Sequence, residues 1–124
     1  MSPYRYHHIG IPSLVERENE EYIADDGVYA SGYFNSPHAI EWLRFAPDSP
    51  LPDLIKRVPH VAFVVDHLDN ALHGQEVLLP PRSPAPGVRV AFIVDNGAPV
   101  ELIEFLRSEH EVWPHAWKVF EGSV

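Results

Sequence analysis

Apolar and polar positions are patterned most regularly in the second half of the chain. Residues 60–65, "HVAFVV", run apolar without alternation after the histidine, as a strand covered on both faces does. Asp66 follows as the predicted N-cap of a short helix, with Asp69 near the positive end of its dipole. Leu68, Ala71 and Leu72 supply an apolar stripe, and Gly74 ends it. The pattern then predicts a brief strand over 76–79, a stiff surface loop over 80–87 ("PPRSPAPG") and a strand over 88–95 ("VRVAFIVD"). Asn96-Gly97 is a strong hairpin signal, and 100–106 ("VELIEFL") reads as the returning strand. The unit is β-α-β-β-β.

The first half is a weaker copy of this order. Residues 6–11, "YHHIGI", predict a strand. Residues 13–27, "SLVERENEEYIADDG", are dense in acids with a faint apolar rhythm, and predict a loop with one or two helical turns. Residues 28–34 and 39–46 predict a hairpin around "NSPH", and "PDSPLPD", 47–53, separates the halves before 54–58 leads into the second unit. In the tail, Trp113, Trp117 and Phe120 fall at i, i+4 and i+7, with Pro114 suited to a first helical turn. Such a helix either covers its own barrel or packs on a partner chain.

The two halves can be aligned. "HIGI" at 8–11 matches "HVAF" at 60–63, and "IEWLRF" at 40–45 matches "VELIEF" at 100–105, a duplication that speaks to architecture. Strand parity puts His8 on a face with Tyr6 and Gly10, leaving His7 with Ile9 and Ile11 on the packed face. His60 shares a face with Ala62 and Val64, so a small residue follows each of these histidines two positions on. Glu41 sits with Leu43 and Phe45, and Glu101 with Ile103 and Phe105. Each unit thus offers one His and one Glu from an otherwise apolar strand surface. A buried carboxylate without a partner costs several kcal/mol or takes up a proton. A divalent cation removes that cost, because two neutral imidazoles and two carboxylates balance its charge.

The remaining polar candidates have plainer readings. Glu104 aligns with no glutamate in the first unit and is expected at solvent or against an arginine. Arg44 and Arg89 lie in strands, where each forms an ion pair or receives an anionic substrate group. Tyr6 is a candidate donor beside His8, while His38, His67, His73, His110 and His115 fall in turns, a helix or the tail and read as surface residues.

Composition narrows the partners. With 124 residues the chain is long enough for one domain, and 45% hydrophobic residues can build a core. Nine Lys+Arg against 18 Asp+Glu leave a net charge of −9, with no basic stripe to neutralise phosphates; nucleic acid and anionic membranes are therefore poor partners. Cysteine is absent, so any metal must be held by His, Asp or Glu. No secretory leader pattern opens the sequence and no run approaches the roughly 18 apolar residues of a membrane span, so a cytoplasmic location is expected.

In their duplicated order, "HIGI", "HVAFVVDHLDNAL" and "VELIEF" resemble the vicinal oxygen chelate superfamily, the fold of glyoxalases, bleomycin-resistance proteins and extradiol dioxygenases. The resemblance implies an α+β fold of two βαβββ units, about 6–46 and 59–106, the first with a shortened helix region. They would form a half-open eight-stranded barrel, with a C-terminal helical tail over 107–124. It implies one divalent metal ion per site, nickel, cobalt, zinc or manganese before iron, held by His8, Glu41, His60 and Glu101. Glu41 or Glu101 would also shuttle the proton. The implied activity is a lyase, isomerase or epimerase acting on a small carbonyl or α-hydroxycarbonyl substrate through a metal-bound enediolate. An Fe(II) dioxygenase, or a non-catalytic binding protein suited by the net charge to cationic ligands, are the alternatives. A homodimer is also implied. Residues 13–38 depart from the family pattern, which leaves the substrate open.

Overall fold

The structure is a computed structural model and describes residues 4–114. Eight strands form one mixed sheet, curled into a half-barrel, with few helices: an α+β fold. The first unit contributes β1 (Arg5–Pro12), β2 (Glu21–Ile23), β3 (Val28–Ser31) and β4 (Ile40–Phe45). A short helix α1 (Asp53–Arg57) links it to β5 (His60–Val64), α2 (Leu68–Leu72), β6 (Glu76–Ala85), β7 (Val88–Asp95) and β8 (Ala98–Phe105); α3 (Glu109–Val112) follows. Across the sheet the order is β2-β3-β4-β1-β5-β8-β7-β6.

The two units meet at an antiparallel β1–β5 seam, and each first strand also runs parallel to its own last strand. This gives a register with approximate two-fold symmetry. Gly10 lies between Glu41 and His60 as Cα partners, and Ala62 lies between His8 and Glu101. The small residue after each histidine is therefore the cross-strand neighbour of the other unit's histidine. Adjacent strands stand about 4.8 Å apart, so each row holds two polar side chains over a small central one. At Gly10 the fit is close: a Cβ there would come within 2.2 Å of His60 Cε1.

The outer face of the second unit packs on α2. Val65, Leu68, Ala91, Ile93 and Leu102 form its buried cluster, with Leu68 and Leu102 fully covered. Asp66 is not the cap expected from its position; His67 is the N-cap residue without a side-chain bond. The carboxylate of Glu104 on β8 instead accepts the Leu68 N–H at 3.2 Å, and Asp66 pairs with Arg5 at 3.1 Å. A tertiary neighbour has replaced a local cap.

Residues 13–27 hold no helix. Their last part pairs as β2 against β3, with Tyr22 over Tyr29 at 4.6 Å, and supplies the strand missing from the sequence pattern. The stretch before it is pinned by charge: Arg44 donates twice to Glu20, at 2.9 and 2.7 Å, and Arg17 lies 4.2 Å over the Trp42 ring. The proline-rich 80–87 segment is also not a loop up to Ala85, because β6 runs through it. Prolines are tolerated there because β6 is the sheet's edge and its pairing to β7 shifts register three times. Asn96 and Gly97, both at positive φ, form the expected tight hairpin.

The inner face of the curl is a trough. Leu51 and Ile55 around α1 pack on Phe92 at one end, and Trp113 after α3 packs edge-on against Phe105 and Phe34 at the other. At Trp113 the tail thus covers its own barrel; Trp117, Phe120 and His115 lie outside the described residues. Arg82 on β6 reaches Asp26 beyond β2, joining the two sheet edges across the opening. Among the described residues no helix is long and apolar enough to cross a membrane.

Candidate metal centre

The trough encloses about 840 Å³, and its floor carries the polar positions that the duplicated pattern singles out. His8 and His60 are both buried, at 5% and 3% exposure. Their rings stand 5.5 Å apart at 78°. Glu101 projects between them, its Oε1 3.1 Å from His60 Nε2 and 3.3 Å from His8 Nε2. Ligand atoms of His8, His60 and Glu101 all lie within 4.8 Å of one another. Glu41 joins at the edge, with Oε1 3.4 Å from His8 Nε2. The four residues from two units therefore meet in one trough, but unequally: the Glu101 side chain is 13% exposed and that of Glu41 27%.

The electrostatics are those of a carboxylate held by imidazoles. Burial opposes ionisation of Glu101, yet the His60 hydrogen bond and the two imidazoles beside the carboxylate overcome it and hold the carboxyl well below its ordinary range. Burial likewise opposes a charge on His8, and Glu41 and Glu101 outweigh it, raising His8 to about 8. His8 Nε2 is nonetheless buried without a hydrogen-bond partner. A buried imidazole nitrogen facing two carboxylates at 3.3 and 3.4 Å is held there by a proton, or by a cation that takes the proton's place. The donor set, two imidazole nitrogens and one or two carboxylate oxygens, fits a borderline divalent ion.

Strand parity fails in one place. Between Tyr6 and His8 the β1–β5 register shifts, so that β1 carries one extra residue opposite β5. This bulge turns Tyr6 outward, where it is 53% exposed and meets Phe63 edge-on. Tyr6 therefore does not serve beside His8. His7, expected on the packed face, lines the trough instead. Its Nδ1 is 2.7 Å from His8 Nδ1, its Nε2 is 2.8 Å from Glu109 Oε1, and its ring stacks on Tyr33 at 4.7 Å. Tyr33 donates to Glu109 Oε2 at 2.9 Å. Burial and the Glu109 charge push the Tyr33 phenol well above its ordinary range, so it stays protonated. Burial opposes ionisation of Glu109 too, but the His7 hydrogen bond prevails and lowers it. Sequence reasoning missed His7, Tyr33 and Glu109; the doubled "HH" was a faint signal, and the bulge that uses it is visible only in the pairing.

The other candidates take structural roles. Arg44 is held by Glu20, and Arg89 by Asp69 at 3.1 Å and Glu104 at 3.4 Å, on the outer face rather than in the trough. His38, His67, His73 and His110 are exposed.

No protein-family model matches the chain, and no curated protein sequence matches it either. Solved structures do. A hypothetical protein from Bacillus halodurans C-125 superposes with a TM-score of 0.66 at 21% identity, covering 86% of this chain and 98% of that one. A methylmalonyl-CoA epimerase from Mycobacterium tuberculosis superposes at 0.52, also at 21% identity, covering 82% of this chain and 87% of that one. At such identity the likeness establishes the half-barrel fold.

Proposed function

We propose that the chain is a divalent-metal enzyme of the vicinal oxygen chelate superfamily, with an epimerase-like or isomerase-like action on a small carbonyl or α-hydroxycarbonyl compound. The observation that carries this reading is the convergence of His8, His60 and Glu101 in the trough. The shared fold of an epimerase supports it. His8, His60 and Glu101 would hold the ion, which when bound supplies a Lewis acid for the substrate carbonyl.

The chain's own residues divide the remaining work. Glu101, clasped by two imidazoles, is suited to stay in place. Glu41 is more exposed and touches only the rim of the cluster, so it is the better carrier for a proton taken from the carbon beside the carbonyl. Phe92, Phe45 and Leu43 wall the trough and keep water from the reacting carbon. A homodimer belongs to the same proposal and is checked by light scattering.

The test uses untagged protein, so that no affinity tag brings its own metal. Metal analysis is expected to find one divalent ion per chain and none in His60→Ala. Deuterium incorporation next to the carbonyl of small hydroxyketones and acyl compounds then reads the proton transfer, and is expected to fail in Glu41→Gln. A parent protein that binds no divalent metal refutes the proposal.

One observation favours a second reading. The tight cluster is two histidines and one carboxylate, the donor set of non-haem Fe(II) oxygenases. Oxygen uptake with catechols by the iron-loaded protein, with no deuterium exchange, would replace the first reading by this one.

A further inference from the structure

A chain of hydrogen bonds runs from the segment after β8 to the far side of His8. Glu109 lies on α3, whose first turn is fixed by a reciprocal cap: Ser108 Oγ accepts the Glu111 N–H at 3.2 Å, and the Glu111 carboxylate accepts the Ser108 N–H at 3.2 Å. That cap delivers the Glu109 carboxylate to His7 Nε2, and His7 Nδ1 then meets His8 Nδ1. His8 Nε2, on the opposite side of the ring, faces Glu101 and Glu41.

The direction of each bond follows from what each group can do. A carboxylate only accepts, so His7 Nε2 carries the proton and donates to Glu109. The protonated Tyr33 has one O–H, which goes to the other Glu109 oxygen; its lone pairs face His7 Nε2 at 2.9 Å. A His8 that ligates through Nε2 carries its one proton on Nδ1, and His7 Nδ1, 2.7 Å away, is placed to accept it. In that arrangement Nε2 of His8 keeps a free electron pair for the ion. His60 lacks this arrangement: its Nδ1 is buried with no hydrogen-bond partner among the described residues.

We infer that Glu109 and His7, steadied by Tyr33, are positioning residues that lock His8 in the tautomer with a bare Nε2, making α3 part of the metal site. The inference rests on the proposed metal reading. It extends that reading to a segment that contributes no ligand.

The mechanism is selection of one ring form. Without an acceptor at His7 Nδ1, the Nδ1–H of His8 has no partner in its buried site, and the tautomer protonated at Nε2, which can donate to Glu101, gains ground. That form cannot ligate. Outer hydrogen-bond partners of ligand histidines are typically worth about 10- to 100-fold in metal affinity.

The test is zinc affinity, measured by competition with a chromophoric chelator on the untagged full chain. His7→Phe keeps the ring stacked on Tyr33 and removes the acceptor; Glu109→Leu removes the group that orients His7. Each is expected to weaken zinc by about 10- to 100-fold, and the double variant no further, because both break one chain. His7→Asn, which places an acceptor oxygen near the Nδ1 position, is expected to recover most of the affinity. In the zinc-loaded parent, proton NMR is expected to show a slowly exchanging His8 Nδ1–H, lost in His7→Phe. If His7→Phe does not fold, Glu109→Leu on the exposed side of the network decides the matter. Parent-level zinc affinity in Glu109→Leu and in any folded His7→Phe overturns the relay and leaves the metal reading intact. A parent that binds no zinc overturns both.

Discussion

The two halves of the sheet place the same residue types at the same register and support them in opposite ways. Behind the second unit, Leu102 and Glu104 on β8 hold α2, one by burying Leu68 and the other by accepting its N–H. Behind the first, the corresponding Trp42 and Arg44 on β4 hold an irregular segment, through Arg17 over the indole and Glu20 on the guanidinium. Hydrophobic burial serves one side and charge the other. The inner faces barely register the difference, because a histidine or glutamate is aimed by its strand's pairing and not by what lies behind the sheet. The difference emerges one step outward: Glu101, in the helix-backed unit, is nearly enclosed, whereas Glu41, in the looser unit, keeps access to the trough.

That asymmetry can be broken at the ligands, where the largest effect is expected. Glu101→Gln should abolish stoichiometric metal binding, because it removes the charge that both imidazoles face. Glu41→Gln should retain the metal and lose turnover by about 10²- to 10⁴-fold, the usual worth of a positioned proton carrier. Metal content and deuterium exchange, measured on both variants, separate the roles; equal loss of metal in the two would erase the distinction.

The outer faces come next. Leu68→Ala should cost about 2–5 kcal/mol in chemical denaturation, as emptying a fully buried leucine site does. Arg44→Ala, its counterpart in support, should cost less, since Glu20 can return to water when its partner is gone. A larger loss for Arg44→Ala would mean that the charged segment, and not the helix, is the stronger brace.

At the seam the comparison becomes nearly symmetric. Gly10→Ala forces a Cβ into the His60 ring and should destabilise by about 1–3 kcal/mol while displacing a ligand. Ala62→Gly, in the matching position, should cost about 0.5–1 kcal/mol and leave the histidines in place. Thermal unfolding with zinc titration reads both quantities.

The most gradual effect is that of pH on the metal-free protein. His8 is raised to about 8, above its unfolded value near 6.5, so its protonated form stabilises the fold fully below about 6.5. That contribution, no more than about 2 kcal/mol, is lost as pH rises through about 8. Zinc affinity should climb over the same window, because the proton stops competing for Nε2. Denaturation and chelator competition across pH 6 to 9 check the two opposed slopes, and His8→Ala should flatten the first.

How much of this was readable in advance varies with the range of the forces involved. His8, His60, Glu41 and Glu101 stood out as candidates because a strand alternates its faces, and a polar residue repeated at one place on an apolar face is conspicuous. The Asn96-Gly97 turn was legible because its backbone conformation is chosen by those two residues alone. The acid-rich 13–27 segment was not, since a three-residue strand at the sheet edge has no pattern of its own and exists through β3. Nor was β6 beyond Leu79: proline argues against a strand until an edge position makes the missing donor harmless.

What the amino-acid order settled by itself is therefore the short-range part: which central strands extend, where the tight Asn96-Gly97 turn falls, and which side chains share a face wherever the strand is regular. Tertiary structure alone decided the bulge that brings His7 beside His8, the delivery of Glu109 from a distant turn, and the unequal enclosure of two glutamates at equivalent positions. The physical reason is that a residue's neighbours along the chain govern its backbone torsions, while its burial and hydrogen-bond partners belong to strands and turns remote in sequence, whose mutual register no local pattern encodes.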